Sequence, residues 1–192
     1  MYEAGDDPYC YPGTAVLKNL LDLRTQERLD EYEAVITAQR ADEPLPTGSL
    51  DESHYRAIHR HLFQDVFEWA GEYRTVRLAK EDSVFCYPEN IDREMRRVFV
   101  RLATDHRLSG LSAALFAEKA AHVLAELNAI HPFREGNGRT QNVFLNLMAA
   151  RGGHPLDFRR LEPPAMMDAM IASFGGGNEQ PLADLIRHLM RQ

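Results

Sequence analysis

Within the nine residues His131-Pro132-Phe133-Arg134-Glu135-Gly136-Asn137-Gly138-Arg139 stand an imidazole, a carboxylate, an amide, two glycines and two guanidinium groups. His131, with an unperturbed pKa of about 6.5, is the side chain in this run able to take up a proton near neutral pH. Gly136 and Gly138 permit positive φ and close approach of the backbone to a ligand, and a following helix offers unpaired amides and the positive end of its dipole. That arrangement binds phosphate. Arg139 falls in the first turn of such a helix, where its charge opposes the dipole, so its expected work is to hold an anion. Glu135 is a hard carboxylate of the kind Mg²⁺ accepts together with phosphate oxygens, and the Asn137 amide can donate to a phosphate oxygen. Singly, each residue has a plain structural account: a core histidine, a tight turn, a solvated ion pair. Together they predict a site that binds a magnesium nucleotide and deprotonates an acceptor.

The elements that must position this run read as mainly α-helical, since apolar residues recur at three and four positions. Leu29, Tyr32, Val35 and Ile36 mark a helix over 25–40 with one wet face, and the acidic run from Glu27 to Glu33 reads as part of that face. Ser49-Leu50-Asp51-Glu52 has capping-box spacing and predicts the start of a second helix at Ser49, carried on by Tyr55, Ile58, Leu62, Val66 and Phe67. Residues 73–87 change character, with Thr75, Val76 and Leu78 before a turn at Glu81-Asp82-Ser83 and Val84-Phe85-Cys86-Tyr87 after it. This is a β-hairpin signal, and an isolated hairpin must lie against helices or accept another strand. Pro88 opens a helix with the stripe Ile91, Met95, Val98, Phe99 and Leu102. Ser112 opens the most apolar helix, through Leu115, Phe116, Ala120, Val123, Leu124 and Leu127 to Ile130, and it must be central. After the 131–139 loop, Val143, Phe144, Leu147 and Met148 mark another helix, stopped at Gly152-Gly153. Pro163-Pro164 and Pro181 begin the last two, separated by a flexible joint at Gly175-Gly176-Gly177, with Met166, Met167, Met170 and Ile171 read as core filler. Trp69 reads as a core anchor, and His54, His59 and His61 as surface or capping residues, because neighbours two apart on a helix cannot chelate one ion.

The chain has the length of one domain, 1–192, and 44% hydrophobic with 27% charged residues excludes wholesale disorder. Its 29 acidic and 22 basic residues give a net charge of −7, which argues against direct nucleic-acid binding. Cys10 and Cys86 form no disulfide framework or zinc spacing, and an acidic start (Glu3, Asp6, Asp7) lacks the pattern of a secretory signal. No run of about 18 apolar residues predicts a membrane span. A cytoplasmic protein is expected.

The run 131–139 resembles the signature of Fic-domain proteins, HPFx[D/E]GNGRxxR, at every position but the last. The resemblance extends over Tyr11-Pro12-Gly13-Thr14, the run from His59 to Gly71, and the hairpin, and is greatest to short bacterial Fic toxins and the Fic domains of translocated effectors. It implies a helical Fic fold with a hairpin flap, and transfer of AMP from ATP, with Mg²⁺, to a hydroxyl of a target protein. His131 would then be the base and Phe133 the loop's anchor, with Glu135 on Mg²⁺ and Gly136, Asn137, Gly138 and Arg139 around the phosphates. The flap, through Val76, Leu78, Lys80 and the clamp residue Phe85, would align a target segment. Asn142 stands where the family has a second arginine that orients the γ-phosphate. That departure leaves three outcomes open, in this order: slower adenylylation, a different phosphate-containing donor, or a weakly active module that binds nucleotide. The family's inhibitory [S/T]xxxE[G/N] motif is absent, so restraint would come from a small helical antitoxin. Type II topoisomerase subunits, or small GTPases if the domain is delivered into a host cell, are the targets the resemblance suggests.

Overall fold

The computed structural model describes residues 7–80 and 83–191. Helix formation follows the apolar spacing: α1 (Gln26–Asp42), α2 (Glu52–Phe63), α3 (Ile91–Thr104), α4 (Ala113–Ile130), α5 (Asn137–Gly152), α6 (Pro163–Gly176) and α7 (Gln180–Leu189). Helix α4 is central, as its broad apolar face requires, and packs against α3, α5, α6 and α7. It buries Phe116, Ala120, Leu124 and Leu127 completely, each larger side chain contributing about 1.5–3 kcal/mol. Its start is capped by Ser112, whose side chain accepts from the Leu115 amide at 3.4 Å. The α3 stripe of Ile91, Met95, Val98, Phe99 and Leu102 is buried throughout, after one 3₁₀ turn over Pro88–Asn90. Helix α2 lies between α1 and α5.

Several expectations are corrected. The N-cap of α2 is Asp51, which accepts from the His54 amide at 2.8 Å, whereas Ser49 lies outside the helix. Leu50 takes a left-handed φ of 53° and hands the capping position to Asp51. Helix α1 buries Leu29, Glu33 and Thr37 and packs Tyr32 and Ile36 partly against the core, while Val35 is 69% exposed, so its inward face mixes apolar and polar side chains. In α6, Met166 and Met170 are buried but Met167 and Ile171 are not, and Leu115 of α4 is also exposed. His54 and His59 are buried caps: His54 Nδ1 accepts from the Leu50 amide and its Nε2 lies 2.7 Å from the Pro46 carbonyl. The glycine run after Phe174 falls at the end of α6, with Gly177 as its left-handed cap.

The hairpin has two residues per strand. β1 (Ala79–Lys80) and β2 (Ser83–Val84) pair antiparallel, Ala79 opposite Val84 and Lys80 opposite Ser83. Beyond these pairs the Phe85 amide still donates to the Leu78 carbonyl at 3.1 Å, but the outer flanks of the expected strands spend main-chain groups on the helical body. The Arg74 amide donates to the Pro132 carbonyl at 2.9 Å and the Cys86 amide to the Ala129 carbonyl at 3.1 Å. The segment is thereby sewn to the end of α4.

Candidate active site

The loop between α4 and α5 is fixed from both sides. His131 ends α4 in the left-handed region (φ 49°, ψ 62°), its amide donating to the Leu127 carbonyl at 2.9 Å. Phe133 is fully buried and stacks on the His59 ring at a centroid distance of 3.7 Å, with Tyr55 at 5.7 Å. Asn137 closes the turn: its Oδ1 accepts from the Phe133 amide at 3.0 Å and its Nδ2 donates to the Phe133 carbonyl at 2.8 Å. Gly136 has φ 80°, and a Cβ added there would stand 2.3 Å from Cζ of Phe63. Conformation and packing both demand glycine at that position.

His59, on α2, holds the next peptide. Its Nδ1 accepts from the Gly71 amide at 2.8 Å, which leaves Nε2 to donate to the Glu135 carbonyl at 3.0 Å. Burial pushes the imidazole pKa down to about 3, so His59 stays neutral and the tautomer is set.

Helix α5 begins where this turn ends. Thr140 donates both its amide and its hydroxyl to the Gly136 carbonyl, and the Gly136 amide is taken by Glu135 Oε1 at 2.8 Å. The amides of residues 137–139 have no acceptor among the described residues, as the first turn of a helix dictates. The space above Gly138 is open: a Cβ added there would meet nothing within 4 Å. Arg139 stands beside these amides with its guanidinium 4.7 Å over the Phe63 ring. It pairs with Glu33 of α1, lies 3.3 Å from Glu135 Oε1, and donates to the Thr37 hydroxyl at 3.4 Å. Burial raises the Glu33 pKa, and the Arg139 charge opposes that rise. Orphan amides, the positive helix end and a guanidinium thus converge on one open surface, an arrangement suited to an anion.

Fic/DOC family sequences match residues 49–149 of the chain. The probable protein adenylyltransferase y4lH of Sinorhizobium fredii is 52% identical over 98% of both chains. The chain belongs to the Fic/DOC family. The protein adenylyltransferase VbhT of Bartonella schoenbuchensis is 38% identical across 98% of this chain, which spans 40% of VbhT. Among solved structures, BepC, a VirB-translocated effector of Bartonella tribocorum with bound AMPPNP, superposes with a TM-score of 0.85 at 31% identity, covering 95% of this chain and 96% of that one. The N-terminal Fic domain of a Bartonella quintana effector with bound ADP gives 0.86 at 33% identity, over 95% and 94%.

Within this Fic fold the sequence-predicted residues fall into two groups. His131, Glu135, Gly136, Gly138 and Arg139 surround one edge of the loop, with the Glu135 side chain 45% exposed. Asn137 shares that loop, but its side-chain amide is spent on Phe133, so its main-chain N–H is what faces the open end. Asn142 lies one turn beyond Arg139, half-buried and without a side-chain hydrogen bond among the described residues. In the hairpin segment, Phe85 stacks on the His131 ring at 4.0 Å and 20°, and touches Phe174 of α6 at 5.3 Å. Val76 and Leu78 are half-buried on the same segment, whereas the Lys80 side chain lies outside the described residues. Among the described residues no cluster of three or more His, Cys, Asp or Glu could hold a metal by itself. One carboxylate beside unpaired amides fits a Mg²⁺ ion that shares its coordination with phosphate oxygens. Glu33, Thr37, His59 and Arg74 carry no local sequence signal for the site, and each reaches it from a distant segment.

Proposed function

We propose that this Fic protein is an adenylyltransferase that moves AMP from ATP to a hydroxyl side chain of another protein. The observation that carries the reading is one locked loop presenting an imidazole at the end of α4 and three unspent amides with Arg139 at the start of α5. The amides of residues 137–139 and the Arg139 guanidinium hold the phosphates, and Arg139 exchanges Glu33 for phosphate oxygens when ATP enters. Glu135 would hold Mg²⁺ together with those oxygens, and the ion would supply positive charge against the departing group. His131 takes the proton from the acceptor hydroxyl. The resulting oxygen bonds to the α-phosphorus, the bond from that phosphorus to the β-phosphate bridging oxygen breaks, and pyrophosphate leaves. Positioning and charge supply the catalysis, so this short set of groups suffices.

The acceptor protein lies along the hairpin segment, where Phe85 stacks on the imidazole, Val76 and Leu78 are half-buried on the same segment, and main-chain groups of the short strands offer an edge. Relatives that are translocated effectors support a target met after delivery, and VbhT and y4lH support AMP as the group transferred over a silent nucleotide-binding module. The test is incubation with a bacterial or host lysate and ATP labelled on either the α- or γ-phosphate, beside a His131→Ala control. Protein-bound label from the α-position that disappears with His131→Ala is the expected result. Transfer of the γ-label, or α-label retained without the imidazole, refutes it.

A further inference from the structure

Arg74 is the largest side chain in the fully buried core, with 2% exposure. Burying a guanidinium costs several kcal/mol unless hydrogen bonds replace the lost water. Here the group reaches four main-chain carbonyls drawn from two places. Nε donates to His131 at 2.8 Å and Nη2 to Ile130 at 3.2 Å, both at the end of α4. Nη1 donates to Val76 at 2.5 Å and Nη2 also to Cys86 at 2.6 Å, on either side of the hairpin. The Arg74 amide adds a bond to the Pro132 carbonyl at 2.9 Å.

The last carbonyls of a helix lack partners within it, and its negative end favours a cation. Helix α4 has no basic residue in its own last turn, so Arg74 supplies from another segment both the donors and the charge that this end calls for. The carbonyl it grips is that of His131 itself, in a left-handed conformation that costs a non-glycine residue about 1 kcal/mol. The same fork holds the two flanks that carry Phe85, whose ring lies on the His131 imidazole. One rigid planar group therefore references the base and the segment covering it to the same point, which a flexible ammonium can reproduce only in part.

We infer that Arg74 is a positioning residue for the transfer reaction: it fixes the orientation of the His131 imidazole and couples the hairpin segment to the catalytic loop, without touching nucleotide. The inference rests on the adenylyl-transfer reading for its kinetic consequences and on geometry alone for the coupling. The nucleotide cradle at residues 137–139 belongs to α5 and is held by Asn137 and Thr140, so it stands apart from Arg74.

The test pairs Arg74→Met, which keeps much of the volume and removes the donors, with Arg74→Lys. In adenylylation assays with a purified acceptor, Arg74→Met should lower kcat by about 10²-fold, the cost of misplacing a reacting group by about 1 Å. Its KM for ATP and its Kd for Mg-ATP should stay within about twofold, and Arg74→Lys should recover part of the kcat. An unchanged kcat, or a rise in ATP KM that matches the fall in kcat, overturns the assignment. A measurement on the unaltered protein keeps the coupling testable if Arg74→Met does not fold: the amides of Arg74, Cys86 and His131 should exchange with deuterium through one common opening. Protection factors for Cys86 more than about tenfold below that of His131 refute the coupling. Absence of label transfer by the unaltered protein would instead remove the adenylyl-transfer reading and leave the exchange result to stand or fall separately.

Discussion

Lowering the pH from 8 to 5 should destabilise this protein through one residue. His59 is completely buried, accepts from the Gly71 amide, and is held neutral with a pKa pushed down to about 3. In the unfolded chain the same imidazole takes up a proton near pH 6.5. A base whose folded pKa is depressed gives its full stability above the unfolded pKa, and that stability drains away as the pH falls, because only the unfolded chain binds the proton. At pH 5 the gap is about 1.5 pH units, which at 1.36 kcal/mol per unit is about 2 kcal/mol. The depressed carboxyls of Asp51, Asp65 and Asp157 lose their contribution only below the ordinary carboxylate range, and the raised Glu33 pKa works in the opposite direction. Urea unfolding of the unaltered protein and of His59→Gln, at pH 8, 7, 6 and 5, isolates the effect as a difference of slopes. The variant starts less stable, but its stability should fall by about 2 kcal/mol less over that range. Two curves parallel to within about 0.5 kcal/mol would refute the assignment of a neutral, buried His59.

Three further outcomes follow from the site. Gly136→Ala should cost about 2–4 kcal/mol in urea unfolding, since the added Cβ meets both the positive φ and the Phe63 ring, and Phe63→Leu should recover part of that loss. Glu33→Gln should tighten Mg-ATP binding about three- to tenfold in calorimetry, because the partly exposed ion pair that Arg139 must give up is worth about 1 kcal/mol; unchanged affinity would show that Arg139 does not meet the phosphates. Asn142→Arg should raise ATP turnover by supplying a cation one turn from Arg139, and a flat response would mean that the neutral amide does not limit the reaction.

The 131–139 loop and its candidate site are legible in the sequence because the residues are neighbours in the chain. His131, Glu135, Gly136 and Arg139 display their chemistry as one run, and the apolar stripes of α3 and α4 announce the helices that frame it. What holds the loop is hidden because its partners are remote. His59 meets Glu135 from 76 residues away, and Glu33 meets Arg139 from 106. Nothing local distinguishes a histidine that will accept an amide in the core from one on the surface, or an acidic residue paired with a guanidinium from one in a wet run. Arg74 is the extreme case: a charged residue in an extended stretch reads as exposed, yet it is buried because two sets of carbonyls converge on it. The hairpin is shorter than its residues suggest because strand propensity at Thr75, Val76 and Phe85 carries no information about competing acceptors on α4.

The mixed inner face of α1 sets this helix apart from the apolar bundle around α4. It buries a single leucine fully and packs Tyr32 and Ile36 partly against the core, and it adds charged anchors: Arg40 grips Asp65 through two nitrogens, and Glu33 reaches Arg139. Apolar contact strengthens in concentrated salt, whereas ion pairs near the surface are screened. Raising the ionic strength therefore weakens the Arg40–Asp65 anchor of α1 while the apolar bundle beneath it holds, and the Glu33–Arg139 pair, buried on its carboxylate side, is the later of the two to loosen.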